Sequence, residues 1–123
     1  MLVRYAAAQM RAGDKLHAAV AFQSRIEGDP RVVVLKMGEA GAYLATPEAR
    51  VKISAHAVAA VDATGAGDAF CGSFLARILA GDSPELAARY AVIAAALKCT
   101  GYGAVGPIPL AARVWEAMRT IPD

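Results

Sequence analysis

The chain has 123 residues, 57% of them hydrophobic, and a formal net charge of +2. That length allows one domain with a modest core, and the apolar share excludes a disordered chain. Near-neutral charge, with no Lys/Arg cluster and no interleaving of basic and aromatic residues, leaves a nucleic-acid partner without support.

Residues 1–13 are alanine-rich and read as a helix. Asp14 is placed to cap a second helix running to about Ile26, with Leu16, Val20 and Ile26 on one face. Gly28, Asp29 and Pro30 end it and turn the chain. Residues 31–36 (RVVVLK) are a short apolar run rich in β-branched side chains, which predicts a strand buried on both faces, as in a parallel sheet. Residues 37–41 form a tight loop with two glycines, and 42–46 and 50–54 read as a hairpin around Pro47 and Glu48. A further apolar strand is expected over 57–61. A helix is predicted over 66–79, with Phe70, Phe74, Leu75, Ile78 and Leu79 on its apolar face, and Gly72, Ser73 and Ala76 small enough for close packing. Gly81 ends it. Ser83, Pro84 and Glu85 then supply a cap, a first-turn proline and an acid suited to the helix dipole. That helix is expected to reach Lys98, with Leu86, Tyr90, Ile93, Ala94 and Leu97 inward, and to stop at Gly101. Residues 102–107 are a glycine-rich loop. Pro109 opens a last helix with Leu110, Val114, Trp115 and Met118 at helical spacing.

Cys71 and Cys99 match no metal or redox spacing and read as reduced packing residues of a cytoplasmic protein. The longest uncharged run, 99–112, holds three glycines and two prolines and is too short to span a bilayer. The opening apolar run is too short for a signal peptide. No membrane contact is expected.

Chemistry is concentrated at residues 61–70, VDATGAGDAF. Gly65, Ala66 and Gly67 leave backbone N–H groups bare where a helix begins, and such a start attracts anions. Asp68 follows at once. Phosphoryl transfer asks for charge stabilisation and a base for the acceptor hydroxyl, and these four residues offer both. On their own they are more simply satisfied by a glycine turn into a helix with Asp68 as a first-turn acid. Lys36, Gly38 and Gly41 follow a buried strand, where nucleotides bind in open α/β sheets, although a plain turn also accounts for them. The loop from Gly101 to Pro107 exposes carbonyls suited to a cation or to the border of an adenine, or simply connects two helices. His17 and His56 lack a neighbouring carboxylate or thiol and read as surface or structural residues, and Trp115 as a core anchor. Asp62 and Thr64 are placed to hydrogen-bond within the glycine turn.

In this order, the pieces resemble the ribokinase-like carbohydrate kinases, the PfkB family. VDATGAGDAFCGSF is similar to the family's C-terminal D-T-x-G-A-G-D signature, VVVLKMGEAGAY to its strand-then-glycine segment near ATP, and GYGAVGPIP to its late adenine-side loop, closest to the 2-keto-3-deoxygluconate kinase branch. The resemblance runs from about Pro30 to the end. It implies an α/β fold, a three-layer α/β/α sandwich with a mostly parallel sheet, of which residues 1–123 form the C-terminal, ATP-side part. It implies transfer of the ATP γ-phosphate to a sugar or sugar-acid hydroxyl, with Mg²⁺ on the phosphates. Asp68 becomes the catalytic base and Gly65, Ala66 and Gly67 the anion hole. Lys36, Gly38 and Gly41 lie along the nucleotide, and Gly103 borders the adenine. Asp62 and Thr64 match positions near a monovalent-cation site, K⁺ in some members. Ala63 stands where many members carry threonine.

Family members carry a longer N-terminal part with most sugar contacts and a β-sheet lid, and nothing here matches it. The chain is therefore expected to be a C-terminal portion, poorly stable or self-associating alone as a homo-oligomer, and inefficient with sugar. Two other readings stay open: a non-catalytic nucleotide-binding remnant or assembly module, and a kinase of a nucleoside or vitamin precursor.

Overall fold

The computed structural model describes residues 32–120. The helices expected over 1–13 and 14–26, and His17, lie outside the described residues. The chain divides into two compact units, Met1–Ser54 and Ala55–Asp123.

In the first unit, β1 (Val33–Lys36), β2 (Ala42–Ala45) and β3 (Arg50–Ile53) form a sheet in the order β1-β2-β3. Val33 lies opposite Ala45 and Lys36 opposite Ala42, while Ala42 also faces Ile53 and Ala45 faces Arg50. Val33, Val34 and Leu35 are all buried, so the expectation of a strand covered on both faces holds. A parallel neighbour for it is not shown. Both strand pairs are antiparallel, and no parallel pair occurs among the described residues. Burial on both faces reports how a strand is covered, not which way its neighbour runs. The decisive signal was loop length: residues 37–41 close a hairpin, whereas a parallel crossover needs roughly a dozen residues or more. Gly38 and Gly41 make the turn with φ of +54° and +90°. Met37 N–H donates to Gly41 O at 2.9 Å, and Gly41 N–H returns to Gly38 O at 3.0 Å.

The second unit is helical: α1 (Ala66–Leu79), α2 (Pro84–Lys98) and α3 (Ala111–Thr120). Residues 57–61 are irregular rather than a strand. Three of those five positions are alanine, which offers little burial, and Val61 is exposed. In α1, Phe70, Phe74 and Ile78 recur every fourth residue and are buried, with Phe74 fully so. Leu75 and Leu79, expected on the same face, are exposed, Leu79 to 86%. Each sits one residue, about 100° of helix rotation, past a buried neighbour. Ser83 caps α2, its hydroxyl accepting from Leu86 N–H at 3.2 Å, and Pro84 takes the first turn where its missing N–H costs nothing. Tyr90, Ile93, Ala94 and Leu97 turn inward as expected and join Val114 in one cluster, flanked by Trp115, Ala117 and Met118. Leu86, expected inward, is exposed, and so is Leu110, which stands just before α3. Leu110 serves α3 through its carbonyl instead, accepting from Arg113 and Val114 N–H at 3.0 and 3.3 Å.

An ion pair ties the three helices. Arg77 of α1 binds Asp82 at 2.7 Å, and its guanidinium lies 5.5 Å from the Tyr90 ring centre and 5.0 Å from that of Trp115. Hydrogen bonding to Arg77 holds the Asp82 carboxyl below its ordinary pKa. No helix among the described residues is long and apolar enough to cross a membrane.

Candidate active site

The site lies within the second unit and is built around Asp62. Val61 and Asp62 N–H groups both donate to Cys99 O, at 2.8 and 3.2 Å, which fastens the approach to the glycine turn onto the end of α2. Asp62 Oδ1 then accepts from Thr64 N–H at 2.9 Å and from the Thr64 hydroxyl at 2.6 Å. This is a side chain imitating a backbone turn. Oδ2 accepts from Gly103 N–H at 2.8 Å. The Thr64 hydroxyl, then the Gly103 and Thr64 N–H groups, hold the Asp62 carboxyl well below the usual carboxylate range, with a smaller contribution from the Lys98 charge.

Gly65 follows with φ of +76°, a left-handed conformation that side chains rarely adopt. It also meets the late loop. A Cβ on Gly65 would lie 2.9 Å from Ala104 Cβ and 3.1 Å from Ala104 Cα. The glycine is needed twice, for its torsion and for this approach. Ala66 N–H closes a turn onto Ala63 O at 3.1 Å, and Ala69 N–H makes the first helical bond to Gly65 O at 2.9 Å. The N–H groups of Gly65, Gly67 and Asp68 have no acceptor among the described residues. They form the positive end of α1. Asp68 stands in the first turn, exposed.

Asp62, Thr64, Gly65 and Gly103 are thus brought together, with Ala66, Gly67 and Asp68 continuing from them. Lys36, Gly38 and Gly41 come together with one another at the β1–β2 turn of the first unit. His56 is half-buried, and among the described residues no three His, Cys, Asp or Glu side chains gather as a metal site. Neither Cys71 nor Cys99 forms a disulfide. One member went unread in the sequence. Lys98, at the end of α2, is fully buried and donates from Nζ to Asp62 O at 2.7 Å. A lysine in the last turn of a helix reads as a surface partner of the dipole. The signal against that was its apolar setting, alanines and leucine before it and cysteine after.

The family described as pfkB family carbohydrate kinase matches residues 7–111. The chain belongs to that family. The pfkB-family chain is 36% identical over 93 residues to a deoxyribokinase of Salmonella typhi, an alignment covering 76% of this chain and 30% of the relative. It is similar to the structure of Arabidopsis thaliana ribokinase complexed with ribose and ATP, with 30% identity and a TM-score of 0.69 over 74% of this chain and 30% of that one. It also resembles a fructokinase double mutant from Vibrio cholerae O395 in its fructose-, ADP- and potassium-bound form, with 31% identity and a TM-score of 0.68 over 87% and 34%. The ribokinase-like α/β reading is borne out by these likenesses. The pfkB-family chain spans about a third of the length of the relatives it matches.

Proposed function

We propose that this chain supplies the ATP side and the catalytic base of a carbohydrate kinase, which moves the γ-phosphate of ATP to a hydroxyl of a sugar or sugar acid. The observation that carries the reading is the start of α1: three unclaimed N–H groups beside an exposed first-turn carboxylate, set by a left-handed glycine. Charge on a transferring phosphoryl group falls on its outer oxygens, and fixed N–H donors at a helix start stabilise it without reorganising. Gly65, Ala66 and Gly67 form that anion hole. The Ala66 N–H is turned to Ala63, so the donors themselves come from Gly65, Gly67 and Asp68. The Asp68 carboxylate takes the proton of the attacking hydroxyl as the new oxygen–phosphorus bond forms and the bond to ADP breaks. Gly103 borders the adenine of that nucleotide. Support for a nucleotide and a sugar as ligands comes from the ribokinase and fructokinase complexes.

Mg²⁺ fits this arrangement only by way of the nucleotide. The described residues offer it no cluster of ligating side chains, and it is at home on phosphate oxygens, whose charge it neutralises when bound. Calorimetry of the chain with ATP–Mg²⁺, followed by candidate sugars, tests the proposal. Saturable nucleotide binding is expected, and its complete absence would refute the nucleotide reading. Nucleotide binding with no transfer to any sugar, in the longest protein that contains this chain, would favour the non-catalytic remnant.

A further inference from the structure

A monovalent cation is the one group suggested for this turn that its residues do not fit. Potassium accompanies the fructokinase relative, and Asp62 and Thr64 are the positions the family resemblance places near its site. In this chain their side-chain oxygens, and the Asp62 carbonyl, are engaged by the protein itself. The Asp62 carboxylate, with about four lone-pair sites in all, accepts three protein donors: the Thr64 hydroxyl, Thr64 N–H and Gly103 N–H. Thr64 Oγ1 points its proton at that carboxylate from 2.6 Å. The Asp62 carbonyl accepts from the Lys98 ammonium at 2.7 Å.

Lys98 does more than fill a gap. It is fully buried, and a buried ammonium is costly unless something uses its charge. An ammonium is a compact +1 charge that donates to carbonyl oxygens, as potassium coordinates to them. Lys98 brings that charge to the backbone oxygen of the residue whose carboxylate organises both the glycine turn and the late loop. Being covalently attached, it cannot be diluted away. We infer that the Lys98 ammonium is the built-in monovalent cation of this site, holding the turn before α1 in shape so that no diffusible potassium ion is required. Lys98 is a positioning residue, acting through Asp62 on the N–H groups of Gly65 and Gly67. Its effect on nucleotide binding rests on the kinase reading above, whereas its effect on the turn does not.

The test separates the two. Melting of the chain and calorimetric ATP–Mg²⁺ affinity are measured in potassium, sodium and choline chloride at equal ionic strength, about 0.1 M. For the unmodified chain, melting temperatures in the three salts are expected to agree within ~1 °C, with ATP affinity unchanged. A melting temperature raised several degrees by potassium over choline, or a severalfold potassium-dependent gain in affinity, overturns the inference. Lys98→Met keeps the aliphatic stem and removes the charge. It is expected to melt lower, and to bind ATP more weakly, in every salt. Lys98→Ala opens space for an ion and is expected to recover part of that loss in potassium but not in choline. A Lys98→Met chain indistinguishable from the parent also overturns the inference. If no ATP binding is seen in any salt, the kinase reading fails while the melting comparison still decides the role of Lys98.

Discussion

Replacing Gly65 with alanine adds one methyl group where the glycine turn meets the late loop, and two costs follow. The φ of +76° holds the residue in the left-handed region, which costs an L side chain ~1–2 kcal/mol. The added Cβ would also stand 2.9 Å from Ala104 Cβ, 3.1 Å from its Cα and 3.3 Å from its O. Those are backbone-anchored atoms that cannot swing aside as a side-chain tip does, and such overpacking costs ~1–3 kcal/mol. Together the loss is ~2–5 kcal/mol, a large share of a small domain's stability. Gly103→Ala is the matched control. Its φ is +91°, but a Cβ there meets nothing within 4 Å, so only the torsional cost of ~1–2 kcal/mol applies. Gly72→Ala, inside α1 and also facing open space, is expected to gain ~0.5–1 kcal/mol. Urea unfolding followed by far-ultraviolet circular dichroism ranks the variants by midpoint at constant slope. The expected order is Gly72→Ala, parent, Gly103→Ala, Gly65→Ala, from most to least stable. Equal losses for Gly65→Ala and Gly103→Ala would mean that turn and loop do not touch, and the reasoning would fall.

Asp68→Asn, made in the longest protein that contains this chain, is expected to lower turnover ~10²–10⁴-fold with ATP affinity preserved; steady-state kinetics beside calorimetry check it, and near-normal turnover would remove Asp68 as the base. The Asp62 carboxyl titrates lower in the folded chain than in the unfolded one. The unfolded state therefore takes up the proton first, and stability is fully present above about pH 4 and falls as acid is added below it. Asp62→Asn is expected to flatten that acid limb in urea melts from neutral to acid pH, and an unchanged limb would rule out Asp62 as its source. Within α1, Phe74→Ala is expected to cost ~3–5 kcal/mol and Leu79→Ala less than ~0.5 kcal/mol. Comparable losses at both positions would contradict the face assigned to this helix.

The helices were legible because their signals are local. Ser83, Pro84 and Glu85 start α2 through contacts within one turn, and the spacing of Phe70, Phe74 and Ile78 names the buried strip of α1. The width of that strip was not legible. Leu75 and Leu79 continue the apolar pattern, yet which half of a broad stripe is covered depends on neighbours far along the chain. The direction of the β1–β2 pair is likewise not carried by the strand itself. The run of valines in β1 reports burial, while direction is set by the five-residue connection to β2. Residues 57–61 are a short apolar run, but a strand requires a partner edge, and the Val61 N–H, like that of Asp62, donates instead to the end of α2.

The candidate site divides in the same way. Gly65 to Asp68 are contiguous, so their torsions and free N–H groups follow from the sequence of the turn itself. What holds them is remote. Gly103 stands 41 residues beyond Asp62 and Lys98 stands 36 beyond it, and neither spacing carries a periodic signal. Asp62 joins them by using both of its oxygen-bearing groups, the carboxylate toward Thr64 and Gly103 and the carbonyl toward Lys98. On the proposed reading, Gly103 borders the adenine and Gly65 to Gly67 hold the phosphate. The two ends of one nucleotide would then be gripped by segments that share a single carboxylate and touch at Gly65 and Ala104. On that reading a change at either end would reach the other through Asp62, whose carbonyl accepts from the buried Lys98.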